Sequence, residues 1–174
     1  MILEIKTFPD EILRKKAKPV EAFDEELHTL LDNMKDTMYD AKGYGLAAPQ
    51  VGKSLRILVL DDTAGSDKSR FQEVINPEII EKSGEIIEEE GCLSIPGEYA
   101  YVKRYMNVTV KCVDRFGKEK IIKGESRLAR ILQHEIDHLE GGLFIDRLSS
   151  IKRETIKKHI KKRIQTGDYT VTGE

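Results

Sequence analysis

Apolar positions along the chain recur with two periods. Leu27, Leu30, Leu31, Met34 and Met38 stand three and four apart, which predicts a helix from about Asp24 to Ala41 with one apolar stripe. Asp24 suits its N-cap, and Gly43 suits its end. LRILVL (Leu55 to Leu60) reads as a buried strand, followed by strands in FQEVINP and around Glu85 to Glu90. NVTVKCVD (Asn107 to Asp114) alternates, with Val108, Val110 and Cys112 on one face. Arg115 to Lys118 reads as a turn into EKIIKG, which completes a hairpin.

A second helix is expected from about Ser126 to Glu140, stopped at Gly141-Gly142. Leu128, Ile131, Leu132, Ile136 and Leu139 cover much of its circumference, so it belongs in the core. A third is expected from Ser150 to Gln165. Strands and helices in separate runs predict an α+β fold. It is a single domain with antiparallel sheets packed around the central helix, and further helices toward each terminus. The domain is expected over residues 1–165, with 166–174 a flexible tail.

The 174 residues suffice for one core burying roughly 70% of the unfolded surface. Net charge is −2, so bulk charge predicts no attraction to DNA or to a membrane. No apolar run reaches spanning or signal-peptide length, and two cysteines are too few for a disulfide framework. The expected compartment is the cytoplasm, where thiols stay reduced.

The chemistry concentrates in three stretches. In QHEIDH, His134 and His138 stand four apart on an otherwise apolar helix, with Glu135 beside the first. That spacing brings both imidazoles to one face, where they can share a metal. The alternative is a core helix that happens to carry histidines. Burying His134, Glu135, Asp137 and His138 unpaired would cost several kcal/mol, roughly, which favours the metal. The second stretch, EGCLSIP, offers Cys92 as a soft third ligand, with Gly91 allowing an unusual backbone angle beside it. Cys92 sits in no clear alternating strand, whereas Cys112 shares the apolar strand face and reads as core. The third stretch, GYGLAAPQ, exposes backbone at Gly43 and Gly45 and ends on the amide of Gln50.

Together GYGLAAPQ, EGCLSIP and QHEIDHLEGGLF resemble the peptide deformylase family, in its order and spacing, over about Pro9 to Ser149. The resemblance implies removal of the formyl group from the N-terminal formyl-methionine of newly made polypeptides. It implies one divalent metal ion, usually ferrous iron, on Cys92, His134 and His138, with zinc, nickel or cobalt able to substitute. Glu135 would be the general acid/base, and Gln50 with the Leu93 backbone N–H would bind the developing oxyanion. An apolar pocket with Tyr44, Ile131 and the stem of Arg130 would take the methionine side chain. The peptide would lie along the backbone of Gly43, Tyr44 and Gly45 as an added strand. A Glu90–Arg104 salt bridge would steady the cysteine loop. Tyr44 and Tyr99 depart from common family choices, an aliphatic residue and in some members an arginine.

Residues 152–163, KRETIKKHIKKR, carry seven Lys and Arg against one acid, with Ile156, Ile160 and Ile164 as a docking stripe. Their outward face could meet ribosomal RNA near the nascent chain, or be a solvated charged face. Three rival readings stand beside the deformylase. One is a metallopeptidase, since HExxH also marks those. Another is a binding module with a closed structural site of Cys92, Cys112, His134 and His138. The last is a ribosome-associated protein with a dead site.

Overall fold

A computed structural model of the chain describes residues 1–170. Helix α1 spans Glu25–Asp40, and the Asp24 carboxylate accepts from the Leu27 N–H at 3.1 Å, as its N-cap position requires. Then come β1 (Gly45–Ala47), β2 (Ile57–Leu60), β3 (Gln72–Ser83), β4 (Ile86–Cys92), β5 (Ile95–Arg104), β6 (Asn107–Val113) and β7 (Glu119–Glu125). Helix α2 follows over Arg127–Leu139 and α3 over Ser150–Thr166.

β1, β2, β3, β6 and β7 form an antiparallel five-stranded sheet in that order, and β4 and β5 form a separate hairpin. β2 is apolar at every position because both of its faces are covered. Leu58 and Leu60 join the cluster that holds Ala129, Leu132, Ile136 and Leu139 of α2. Ile57 and Val59 join the one that holds Leu27, Leu31, Met34 and Met38 of α1. Each such side chain contributes about 1.5–3 kcal/mol by burial. A third cluster, with Ile95, Val102, Phe144, Ile156 and Ile160, seats α3 beneath the β4–β5 hairpin. α2 thus runs between sheet and hairpin, with the α+β layout expected of the sequence.

Four local expectations need correction. The left-handed residue ending α1 is Lys42 (φ 56°), not Gly43, whose N–H donates to the Met38 carbonyl at 2.9 Å. Cys92 is the last residue of β4 rather than part of an irregular segment. β3 runs through Pro77, where its pairing with β6 is bulged, because proline removes a ladder donor. On α3, Ile156 and Ile160 are buried but Ile164 is exposed, so the apolar stripe ends one turn early. Within the expected tail, Tyr169 packs against the third cluster, and 171–174 lie outside the described residues. No helix among the described residues is long and apolar enough to cross a membrane.

Candidate metal centre

The two α2 imidazoles meet the thiol that ends β4. Donor atoms of Cys92, His134 and His138 lie within 4.8 Å of one another, and Cys92 Sγ is 3.4 Å from His138 Nε2. Cys112 is elsewhere, among Val108, Val110 and Ile122 under the sheet, so the four-ligand closed site is not formed. An ion held by these three protein donors would keep a fourth position for water or substrate, the pattern of catalytic rather than structural sites.

The donors are oriented by their neighbours. His134 Nδ1 lies 2.9 Å from Glu90 Oε1, which places the ring hydrogen on Nδ1 and turns the Nε2 lone pair toward Cys92. Burial pushes the Glu90 carboxyl up, but Arg104 and His134 outweigh it and hold it at about 2. Arg104 grips Glu90 with Nε and Nη2 at 2.6 and 2.8 Å, and its Nη1 reaches Asp137 at 2.9 Å. Arg147 closes the chain on Asp137 at 2.7 and 2.8 Å. The Asp of the helix motif is therefore a tie between α2, β5 and the segment after α2. Sequence reading did not assign it this part. Its only signal there was an acid inside an apolar helix.

Charge at the site suits a cation. Burial pushes His134 down, yet hydrogen bonds to Cys92 and Glu90 pull it well above its ordinary value, so its surroundings favour positive charge on the ring, which a metal ion on Nε2 would supply in place of the proton. Burial, then His134, pushes His138 well below, so that ring is neutral and its nitrogen lone pair available. Burial also pushes Glu135 up to about 7, against His134 and Arg104. Glu135 Oε2 is buried without a hydrogen-bond partner, as is His138 Nδ1. An orphaned buried carboxylate oxygen costs about 1–3 kcal/mol unless a ligand or water takes it.

Gln50 comes from the 3-10 turn Ala48–Val51. Its Oε1 accepts from the Ala47 N–H at 2.9 Å, and its Nε2 donates to Ser94 Oγ at 3.1 Å and lies 3.6 Å from Cys92 Sγ. Leu93 and Ser94 form the two-residue turn between the paired Cys92 and Ile95, which leaves the Leu93 N–H outside the ladder. Gly43, Tyr44, Gly45, Arg130 and Ile131 all line the cleft of about 520 Å³ over Cys92, His134 and Glu135. A Cβ on Gly45 would stand 2.9 Å from Glu135 Cγ, and one on Gly43 the same distance from Leu93 Cδ1. Gly91 serves close approach rather than an unusual angle, since a Cβ there would stand 2.6 Å from the Tyr99 ring. Tyr44 lies under Arg127, with Cζ 5.3 Å from the ring centroid.

A buried helix presenting two imidazoles and a carboxylate to a thiol, with an open position facing a cleft, defines the class as a metallohydrolase. The profile of polypeptide deformylase matches residues 2–154. The peptide deformylase of Thermodesulfovibrio yellowstonii is 50% identical over 162 residues, covering 93% of this chain and 98% of that one. The crystal structure of a peptide deformylase from Legionella pneumophila is 54% identical and superposes with a TM-score of 0.89, covering 95% and 98% of the two chains. That of the Ehrlichia chaffeensis peptide deformylase in complex with actinonin is 40% identical at a TM-score of 0.86, covering 93% and 97%. The chain belongs to the polypeptide deformylase family. Its reaction is the family's metal-dependent one, hydrolysis of the N-formyl group from the formyl-methionine that begins newly made polypeptides.

Proposed function

We propose that Cys92, His134 and His138 hold the divalent metal ion, ferrous iron first, with zinc, nickel or cobalt able to replace it. The observation that carries this is the convergence of one sulfur and two imidazoles within 4.8 Å. Thiolate plus imidazole suits these borderline-soft ions and disfavours magnesium or calcium. Such an ion supplies Lewis-acid polarisation of a carbonyl and lowers the pKa of water enough for attack near neutral pH.

Glu135 takes the proton of the attacking water on its unpartnered Oε2 and delivers it to the leaving amide nitrogen. Gln50 Nε2, beside Cys92 Sγ, and the Leu93 N–H, outside the ladder, would donate to the formyl oxygen as negative charge develops on it. Formate and a free amine result. Leu93 against Gly43, and Glu135 against Gly45, leave little spare width, which supports exclusion of an acetyl group in place of formyl.

β1 is the edge strand of its sheet, so the nascent peptide can add to it along Gly43, Tyr44 and Gly45. Its methionine side chain would enter beside Ile131 and the Arg130 stem. Arg130 is held for this by its Nη2, which donates to the Glu89 carbonyl at 3.0 Å. The lysines of α3, among them the exposed Lys158, Lys161 and Lys162, offer a surface to ribosomal RNA phosphate. The working compartment would be the cytoplasm, where such chains are made.

Metal content tests the ligand set. Cys92→Ser is expected to lose the metal on dialysis, while Cys112→Ser retains it along with activity. Metal loss in Cys112→Ser would count against the assignment.

A further inference from the structure

The turn that carries Cys92 is braced from behind by the C-terminal segment. Ser94, fully buried, receives the Gln50 amide on its hydroxyl. Its carbonyl accepts from the Phe8 N–H at 2.8 Å and from the Tyr169 hydroxyl at 3.4 Å. Two residues on, the Pro96 carbonyl accepts from Arg163 Nη1 at 2.5 Å. Gly97 takes φ 78°, and a Cβ there would stand 2.7 Å from Arg163 Nη1 and 3.0 Å from Cζ. The guanidinium therefore occupies room that only glycine leaves. Arg163 Nη2 also donates to the Asp168 carbonyl at 3.2 Å, and its Cζ lies 5.3 Å from the Tyr169 ring centroid.

Arg163 thus differs from its basic neighbours. Lys161 and Lys162 are exposed, whereas the Arg163 side chain retains only 25% exposure and spends its donors on backbone carbonyls. Pro96 and Gly97 line the cleft that holds Cys92. The end of α3 and the wall of the cleft are one hydrogen-bonded unit.

We infer that Arg163, with Tyr169, is a positioning residue that fixes the turn from Cys92 to Gly97 and, through Ser94, the amide of Gln50. The inference rests on the roles proposed above for Cys92 and Gln50. Releasing the turn misplaces a metal ligand and an oxyanion donor together while leaving the peptide-binding edge of β1 intact. Displacements of about 1 Å at reacting groups can cost up to 10²-fold in rate. The loss therefore falls on kcat rather than on KM.

The test uses the full chain loaded with cobalt, in which the thiolate-to-cobalt absorption band reads the geometry at Cys92 without turnover. Arg163→Ala is expected to lower kcat on a formylated peptide about tenfold, with KM within about twofold, and to shift the band. Arg163→Lys, which keeps the charge and a donor on the same side of the helix, recovers part of both. Gln165→Ala, at an exposed position of the same helix, changes neither. Tyr169→Phe, which removes one hydroxyl, gives smaller changes of the same kind and keeps the test decisive should Arg163→Ala fail to fold. An unchanged band and kcat in Arg163→Ala and Tyr169→Phe would overturn the inference. So would a loss that tracks metal content alone and is not rescued by lysine. An inactive parent enzyme would remove the assigned reaction, and the cobalt band would still decide on the brace.

Discussion

Glu90 Oε1 lies 2.9 Å from His134 Nδ1, and this contact selects which nitrogen of His134 faces Cys92. The carboxylate is itself held by Arg104, whose side chain is 1% exposed. Glu90→Gln keeps the shape but removes the charge from both neighbours. Metal affinity is expected to fall about 10–100-fold, and stability by about 1.5–3 kcal/mol, as the buried Arg104 guanidinium trades a charged acceptor for a neutral amide and keeps only Asp137 as counter-charge. Chelator competition and urea denaturation measure the two, and parent-like metal affinity would show that Glu90 does not orient the ligand.

Gly45 and Glu135 share a boundary in the same way. A methyl group on Gly45 would stand 2.9 Å from Glu135 Cγ and 3.0 Å from Oε1, where Glu135 is buried and cannot swing away into solvent. Gly45→Ala should displace the carboxylate and lower kcat about 10–100-fold with metal content unchanged. Steady-state kinetics on metal-replete protein would expose the idea as wrong if kcat stayed at the parent value.

Removing the carboxylate altogether separates chemistry from metal binding. Glu135→Ala is expected to retain metal and lose about 10²–10⁴-fold in kcat, the usual worth of a positioned acid/base. Metal analysis alongside turnover checks this. Retained turnover would leave the proton transfer without its proposed carrier.

A pH effect independent of the metal centre sits at Asp61. Burial pushes this carboxyl up, but Thr63, the Tyr39 hydroxyl at 2.7 Å and the N–H groups of Thr63 and Gly65 hold it below its ordinary value. A carboxyl whose folded pKa is lowered stabilises the fold above its unfolded pKa. That contribution is lost as pH falls through the folded one. Tyr39→Phe should therefore cost about 1–2 kcal/mol at neutral pH, with the difference from the parent shrinking below about pH 4. Urea denaturation at both pH values reads it, and a difference that stayed constant in acid would exclude the linkage.

The elements legible in the sequence are those whose burial follows one regular face. α1 and the β6–β7 hairpin carry their period, cap and turn within a few residues. β5 was not legible, because Pro96 and Gly97 interrupt it and its partner strand alone makes it regular. Glycine tolerates left-handed backbone best, so the sequence favours Gly43 as the residue ending α1, yet Lys42 takes that place.

The same division holds at the candidate site. The spacing of His134 and His138 on one helix, and the thiol of EGCLS, point to a metal without any structure. Asp137, Ser94 and Arg163 could not be found that way, since each meets a partner distant in sequence: Arg104 is 33 residues from Asp137, Gln50 is 44 from Ser94 and Pro96 is 67 from Arg163. Arg163 looked like one more charge on a basic face. Only the fold turns it inward.

The most direct measurement is formate release from formyl-Met-Ala-Ser by protein prepared anaerobically with ferrous iron. The acetylated tripeptide and a chelator-treated sample would run beside it. Formate from the formyl peptide, its abolition by chelator, and no cleavage of the acetyl peptide are the expected results. No formate from folded, metal-replete protein would contradict the assigned reaction while leaving the three ligands in place.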